Sequence, residues 1–69
     1  MTLTEQETRA LQLLAAGLTD AAAARQCGIS ARTHRRRIER AEAKLGARSR
    51  PHAVALAITH GLITIGGRT

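Results

Sequence analysis

The sequence has no Phe, Tyr or Trp, and only one cysteine and one proline. Without aromatic residues, a 69-residue chain must build its core from Leu, Ile, Val and Ala, so we expect a thin core that dimerisation would help to stabilise. The single cysteine, Cys27, excludes an intramolecular disulfide and occupies an apolar periodic position, as a small hydrophobic residue does. No apolar run approaches the roughly 20 residues of a membrane span, and no secretory signal is present, so we expect a soluble, cytoplasmic protein with no membrane partner.

Constellations of catalytic or metal-binding residues are also missing from the sequence. The three histidines are dispersed, Cys27 has no evident base partner, and the five carboxylates show no paired, pocket-like arrangement. The sequence contains no glycine-rich phosphate loop and no Cys/His cluster with metal-ligand spacing. We therefore predict that the protein is not an enzyme and has no catalytic residues, no metal and no cofactor.

Acidic residues are scarce, and the positive charge that they leave unopposed is concentrated in one part of the chain. Eleven Lys and Arg residues face five Asp and Glu residues, which gives a net charge of +6. The segment from Arg32 to Arg50 holds eight of the basic residues, opposed only by Glu39 and Glu42. A local positive field of this kind favours a polyanionic partner, although a solvated basic face explains an ordinary charge run equally well.

Four helices separated by short breaks are predicted from the spacing of apolar residues and from capping signals. The predicted helices cover about residues 5–16, 20–27, 31–45 and 50–60. The N-cap candidates share a side-chain hydroxyl: Thr4, Thr19, Ser30 and Ser49. Thr4 and Glu7 have the spacing of a capping box. A short second helix, a tight turn at Gly28 and a longer basic helix form the helix-turn-helix pattern, so we predict an all-α, four-helix domain over residues 1–65 with a disordered tail over residues 66–69.

The third predicted helix divides into two faces when its residues are placed at about 100° intervals. One stripe is mostly apolar and should face the core: His34, Ile38, Ala41 and Leu45. The opposite stripe is charged: Arg32, Arg35, Arg36, Glu39 and Arg40. Because arginine suits bidentate hydrogen bonding to guanine or phosphate, this one-sided stripe favours specific contact with DNA over simple solvation.

The position of each charged residue along this helix suggests its role. If the N-terminal end of the helix enters the groove, its first three arginines reach the bases, while Arg40 and Lys44 lie nearer the phosphate backbone. Glu39 would then accept a hydrogen bond from a cytosine amino group. An ion pair within the helix, between Glu39 and Arg35 or Arg36, is a slightly better explanation of the same residue.

The fourth predicted helix is apolar on nearly every side, which suggests a second partner surface. Its core stripe is expected to contain Ala53, Val54, Ala57, Ile58 and Gly61. We predict a homodimer contact that is centred on Leu56 and formed by His52, Ala55, Leu56, Thr59 and Ile63. A tolerated exposed leucine among alanines explains the pattern nearly as well.

Several short motifs occur in a definite order between about residues 3 and 63. They are Leu3-Thr4-x-x-Glu7, Leu11-x-Leu13-Leu14-Ala15-x-Gly17-Leu18-Thr19, Ala24, Gly28-Ile29-Ser30, Thr33-x-Arg35, Lys44-Leu45-Gly46-Ala47-Arg48-Ser49-Arg50, Ala53-Val54 and Gly61-Leu62-Ile63. This ordered set resembles the C-terminal helix-turn-helix DNA-binding domain of the LuxR/NarL/GerE type. The resemblance implies a four-helix domain of bacterial transcription regulators, in which the third helix enters the major groove and the fourth commonly dimerises. The sequence departs from the family at Ala22-Ala23, where Glu-Ile is usual, at His34, where valine is usual, and at Arg37, where histidine is frequent.

The resemblance also implies roles for single residues. The family's base-contacting positions correspond to Arg35, Arg36 and Glu39, and the helical stripe adds Arg32 to this set. The resemblance implies phosphate contacts at Thr33, Lys44 and Arg50, and we expect further phosphate contacts from Thr19, Ser30, Arg37 and Arg40. We therefore expect a bacterial transcription regulator that binds double-stranded operator DNA as a homodimer, with RNA polymerase as a further partner.

Two other functions fit parts of the sequence. Region four of sigma factors also combines Leu-Thr-x-x-Glu with a basic recognition helix, but the block from Lys44 to Arg50 and the fourth helix argue against it. A protein-interaction module is the second alternative, because a lone domain that heterodimerises through Leu56 would modulate a full-length regulator. Binding to core RNA polymerase in place of autonomous operator binding would favour the first alternative, and capture of a partner regulator without any DNA affinity would favour the second.

Overall fold

Each helix begins directly after the hydroxyl residue that the sequence predicted as its N-cap. The computed structural model describes residues 2–64. Its helices are α1 (Glu5–Ala15), α2 (Asp20–Cys27), α3 (Ala31–Leu45) and α4 (Arg50–Thr59). Each cap side chain accepts a hydrogen bond from a backbone N–H of the first turn: Thr4, Thr19, Ser30 and Ser49. The all-α, four-helix fold is confirmed, with α1 and α4 each ending one residue earlier than predicted. The predicted boundary at residue 65 and the predicted tail over residues 66–69 lie outside the described residues.

The turn between α2 and α3 depends on a glycine in the left-handed conformation. Gly28 has φ of 68°, a region that residues with a Cβ rarely adopt. The N–H of Ile29 then donates to the carbonyl of Ala24 at 3.0 Å, which closes the end of α2 in a Schellman-type turn. Ser30 caps α3 two residues after the glycine. Only three residues therefore separate the two helices, and α3 packs against α2, as the predicted helix-turn-helix requires.

The core lies around α3, which packs against the other three helices. Leu11 and Ile38 are completely buried and supply much of its apolar volume. Six of the ten buried apolar residues among the described residues are alanines, so the core is as thin as the composition predicted. Within the described part of the chain, no helix combines the length and the apolar character that crossing a membrane requires.

The segment after α4 folds back over α1, and this overturns one prediction. The side-chain amide of Gln12 donates to the carbonyl of Thr64 at 2.6 Å, and its oxygen accepts from the Thr64 N–H at 3.1 Å. Gly61, with φ of 72°, allows the chain to reverse direction at the end of α4. As a result, Ile63 is only 4% exposed and belongs to the core. The prediction that Ile63 lies on the exposed dimer face with Leu56 is therefore wrong.

Candidate nucleic-acid interface

The burial of α3 confirms the two faces that the helical periodicity predicted. His34, Ile38 and Ala41 are buried, and Leu45 packs against the core from its edge. The opposite side of the helix is exposed to solvent: Arg32, Thr33, Arg35, Arg36, Glu39 and Arg40. Arg37 lies at the border between the faces and is partly buried. The helix thus presents a continuous basic stripe, with one acidic residue, on the side away from the core.

The arginines of this stripe are not neutralised by carboxylates. Within residues 2–64, no Asp or Glu oxygen lies within 4.0 Å of the guanidinium nitrogens of Arg32, Arg35, Arg36 or Arg40. The ion pair between Glu39 and Arg35 or Arg36, which the sequence slightly favoured, is therefore not formed. The guanidinium groups retain their hydrogen-bond donors for an external partner.

The hydroxyl groups near the start of α3 combine capping with the capacity to donate. Ser30 Oγ accepts from the Thr33 N–H at 3.1 Å and donates to Thr33 Oγ1 at 3.0 Å. Thr19 Oγ1 accepts from the Ala22 N–H at 3.1 Å. The hydroxyl protons of Thr19 and Thr33 are not used by these bonds, so both side chains can still donate to an anion.

Lys44 is joined to a buried carboxylate on α1, a contact that the sequence did not predict. Its Nζ lies 2.7 Å from Oε1 of Glu7, which is 4% exposed. The same carboxylate accepts from the Thr4 N–H, so the capping box and the ion pair share one side chain. Burial alone would raise the pKa of Glu7, but the hydrogen bonds from Lys44 and Thr4 outweigh it and hold that pKa below its ordinary value. Lys44 therefore fixes α3 against α1.

Arg50 forms a bidentate ion pair with Asp20, which links the first residue of α4 to the first residue of α2. Nη1 lies 2.8 Å from Oδ1, and Nη2 lies 3.1 Å from Oδ2. The hydrogen bonds from Arg50 hold the pKa of Asp20 below its ordinary value, and the same bonds raise the pKa of Arg50. Local sequence patterns do not predict this pair, because its members are 30 residues apart and follow no periodic spacing.

His34 lies beneath this ion pair at the meeting point of α2, α3 and α4. Its side chain is 2% exposed, and Nε2 lies 3.7 Å from Oδ1 of Asp20. Burial lowers the pKa of His34 below its ordinary value of 6.5, and the Asp20 carboxylate only partly opposes this effect. The charges of Arg50 and Arg37 lower the pKa of His34 further. The imidazole is therefore a neutral core side chain near pH 7, as the apolar stripe predicted.

His34 predicts how the stability of the domain depends on pH. Because its folded-state pKa lies below the unfolded value, the unfolded chain binds more protons, and acidification favours unfolding. We expect the free energy of unfolding to be constant well above pH 6.5 and to fall as the pH drops below it. His34→Val should remove this dependence in urea titrations between about pH 7 and 5, where histidine normally titrates.

A second, more acidic dependence should remain in the His34→Val variant and serves as its internal control. Glu7 and Asp20 have pKa values below their ordinary 4.5 and 3.8, so their stabilising effect is complete above these values and is lost as the pH falls further. An unchanged slope between pH 7 and 5 in the variant would contradict the role assigned to His34.

The outer face of α4 is mixed rather than strongly apolar. His52, Ala55 and Thr59 are exposed, and Leu56 is partly buried. The Thr59 hydroxyl donates to the carbonyl of Ala55, and Nδ1 of His52 accepts from the Arg48 N–H at 3.0 Å. Four of the five residues predicted for dimerisation thus lie together on α4, whereas the fifth, Ile63, is in the core.

Acidic, histidine and cysteine side chains do not gather into a metal site in the described part of the chain. Residues 2–64 contain no group of three or more such side chains that could hold a metal ion. Cys27 is partly buried near the C-terminal end of α2 and forms no disulfide. The exposed side of α3 instead carries guanidinium and hydroxyl groups, which suit an anionic partner.

Comparison with known proteins gives two matches that agree with each other. Residues 1–57 match the GerE family, described as bacterial regulatory proteins of the luxR family. The chain is also 43% identical over 63 residues to the transcriptional regulatory protein YdfI of Bacillus subtilis (strain 168). That alignment covers 91% of this chain and 30% of the relative, so the chain spans less than a third of the length of YdfI.

Proposed function

Because the chain belongs to the luxR family of bacterial regulatory proteins, a family of DNA-binding transcription regulators, we propose that it recognises operator DNA by inserting α3 into the major groove. The observation that carries this proposal is the exposed, unneutralised arginine stripe of α3, which lies opposite the buried face of the same helix. The family and the name of the relative both describe a regulator rather than an enzyme.

The N-terminal half of α3 is assigned to base recognition. Arg32, Arg35 and Arg36 are exposed at this end and have the fork of donors that matches O6 and N7 of guanine. Glu39 is exposed and has no intrahelical arginine partner among the described residues, which favours its assignment as an acceptor for a cytosine amino group.

Phosphate contacts are assigned to the residues around this centre. Thr19 and Thr33 offer hydroxyl donors, Ser30 orients Thr33, and Arg37 and Arg40 supply charge along the helix. Such contacts set the register of a protein on the duplex and make its affinity depend on salt.

Lys44 and Arg50 differ from the other proposed phosphate contacts because each already has a carboxylate partner. Lys44 is bonded to Glu7, and Arg50 is bonded to Asp20. We therefore propose that both side chains meet phosphate while they remain part of these interhelical pairs. The positive charge of each side chain is then partly offset by its carboxylate partner. The main contribution of each to DNA binding is a hydrogen-bond donor that is held in a fixed position.

The experiment that tests the proposed function is in vitro selection of binding sites from random DNA, followed by affinity measurements across a salt series. We expect one enriched motif and a linear fall of log affinity with log salt concentration. The selected duplex should bind at least about a thousandfold more tightly than a scrambled duplex. A protein that shows neither salt dependence nor sequence preference would exclude this function.

Dimerisation through α4 is the second part of the proposal. The exposed His52, Ala55 and Thr59 surround Leu56, and two-fold pairing of this face would place two recognition helices on half-sites about one helical turn apart. Leu56→Glu should raise the dimer dissociation constant by at least about tenfold, because it buries an unpaired charge in the contact. Sedimentation equilibrium measures this change.

Leu62→Glu is the matched control, because Leu62 is exposed and lies beyond α4. It should leave the dissociation constant unchanged. If the wild-type chain stays monomeric on a two-half-site duplex, or if both variants weaken association equally, the α4 contact is wrong.

RNA polymerase is the further partner proposed for this regulator. Its binding is tested by adding core RNA polymerase to the complex of the protein with the selected duplex.

A further inference from the structure

The ion pair between Asp20 and Arg50 leaves much of the guanidinium unused. An arginine side chain carries five N–H donors, and the two bonds to Asp20 occupy one donor on each terminal nitrogen. The remaining donors include Nε–H and one N–H of each terminal nitrogen. The Arg50 side chain is 37% exposed and the Asp20 side chain 24%, so the pair is partly open to solvent.

The pair also lies against α3. Nε2 of His34, the residue before Arg35, is 3.7 Å from Oδ1 of Asp20, and both α2 and α4 pack on α3. In agreement with this geometry, the charge of Arg35 contributes to the low pKa of Asp20. Thr19, a hydroxyl donor assigned to phosphate, directly precedes Asp20. Arg50 is therefore near α3 and Thr19, which carry other residues of the proposed DNA surface.

We propose that Asp20 is a positioning residue for DNA binding: it holds the guanidinium of Arg50 in a fixed orientation, so that the unused donors face a backbone phosphate. This inference rests on the proposed function, since it concerns the same DNA surface. An unpaired arginine loses rotamer freedom when it binds, whereas Arg50 is already ordered by two hydrogen bonds. His34 lies beside the same carboxylate, with Nε2 3.7 Å from Oδ1 of Asp20.

The proposal predicts that Asp20→Asn changes the affinity for DNA in the direction opposite to that expected from net charge alone. Asp20→Asn removes a negative charge beside a polyanion, so simple electrostatics predicts tighter binding. Loss of the oriented contact predicts weaker binding instead. We expect Asp20→Asn to lower the affinity for a generic 20-base-pair duplex by about three- to tenfold, through a lost charge-assisted hydrogen bond to phosphate.

The salt dependence separates positioning from a purely structural role. Loss of one phosphate contact should reduce the slope of log affinity against log salt concentration by up to about 0.9. Asp20→Asn and Arg50→Ala should both show this reduction, and Asp20→Asn should have no further effect in an Arg50→Ala background. Arg50→Lys keeps the charge without the fork and should also bind more weakly. Thermal denaturation shows whether Asp20→Asn is folded. If it is not, Arg50→Lys still tests the proposal.

Glu5→Gln is the matched control, because it makes the same charge change at an exposed position in the first turn of α1. It should leave the salt slope unchanged and should not weaken binding. Tighter binding by Asp20→Asn would overturn the proposal and show that the negative charge of Asp20 weakens the attraction between Arg50 and DNA. A lower melting temperature with unchanged affinity and slope would overturn it in favour of a structural pair. Failure of the wild-type chain to bind any duplex would instead count against the proposed function itself.

Discussion

Replacing Arg35 or Arg36 by alanine is expected to weaken binding to the selected operator by about 1–3 kcal/mol for each residue. Both side chains are exposed on α3, and no carboxylate among the described residues neutralises them. If each contacts a base edge through two hydrogen bonds, its loss should also relax discrimination at one position of the operator. Repeating the in vitro selection with each variant would therefore give a motif with one degenerate position.

The matched control for these substitutions is Arg9→Ala. Arg9 is exposed on α1, so this variant loses the same charge without altering α3. It should change the affinity for operator and scrambled duplexes by the same small factor. If Arg35→Ala and Arg36→Ala also weakened both duplexes equally, the two arginines would be phosphate contacts, and their assignment to bases would be wrong.

The parts of the fold that were predicted from the sequence are those determined by neighbouring residues. A cap such as Ser30 acts three residues along the chain, on the Thr33 N–H, so a short motif contains all the information needed. The faces of α3 follow from a constant angle per residue, which is why the burial of His34 and Ile38 was foreseen.

The contacts that sequence reasoning missed join residues far apart in the chain. Glu7 was recognised as part of a capping box, but the lysine that it pairs with lies 37 residues away. The position of Ile63 depends on the backbone of Thr64, which bonds to Gln12 across 52 residues. Interactions of this kind depend on how helices are placed relative to one another, and no local spacing specifies that placement.

These distant contacts also explain how an alanine-rich core can hold α3 in place. Lys44 fixes the C-terminal end of α3 to α1. Arg50 and Asp20 join α4 to α2 near His34, in the N-terminal half of α3. Small core side chains allow helices to approach closely but bury little apolar area each. The charged pairs add contacts between the helices, and the few large residues provide most of the apolar stabilisation.

Leu11→Ala should consequently have the largest effect on stability of any substitution considered. Leu11 is completely buried, and removing its side chain from such a core should cost about 2–5 kcal/mol. A domain of this length has a total free energy of unfolding of about 3–10 kcal/mol. The substitution should thus lower the urea midpoint sharply and leave a measurable unfolded fraction in water, with little change in the denaturant slope.

Leu62→Ala removes the same atoms from a side chain that is 40% exposed, and its effect should stay within about 0.5 kcal/mol. The comparison isolates burial, because the chemistry of the two substitutions is identical. If Leu11→Ala cost no more than Leu62→Ala, the packing of α1 against α3 described above would be wrong. If the large difference is observed, binding by Leu11→Ala should fall only in proportion to the folded fraction, since Leu11 does not reach the DNA surface.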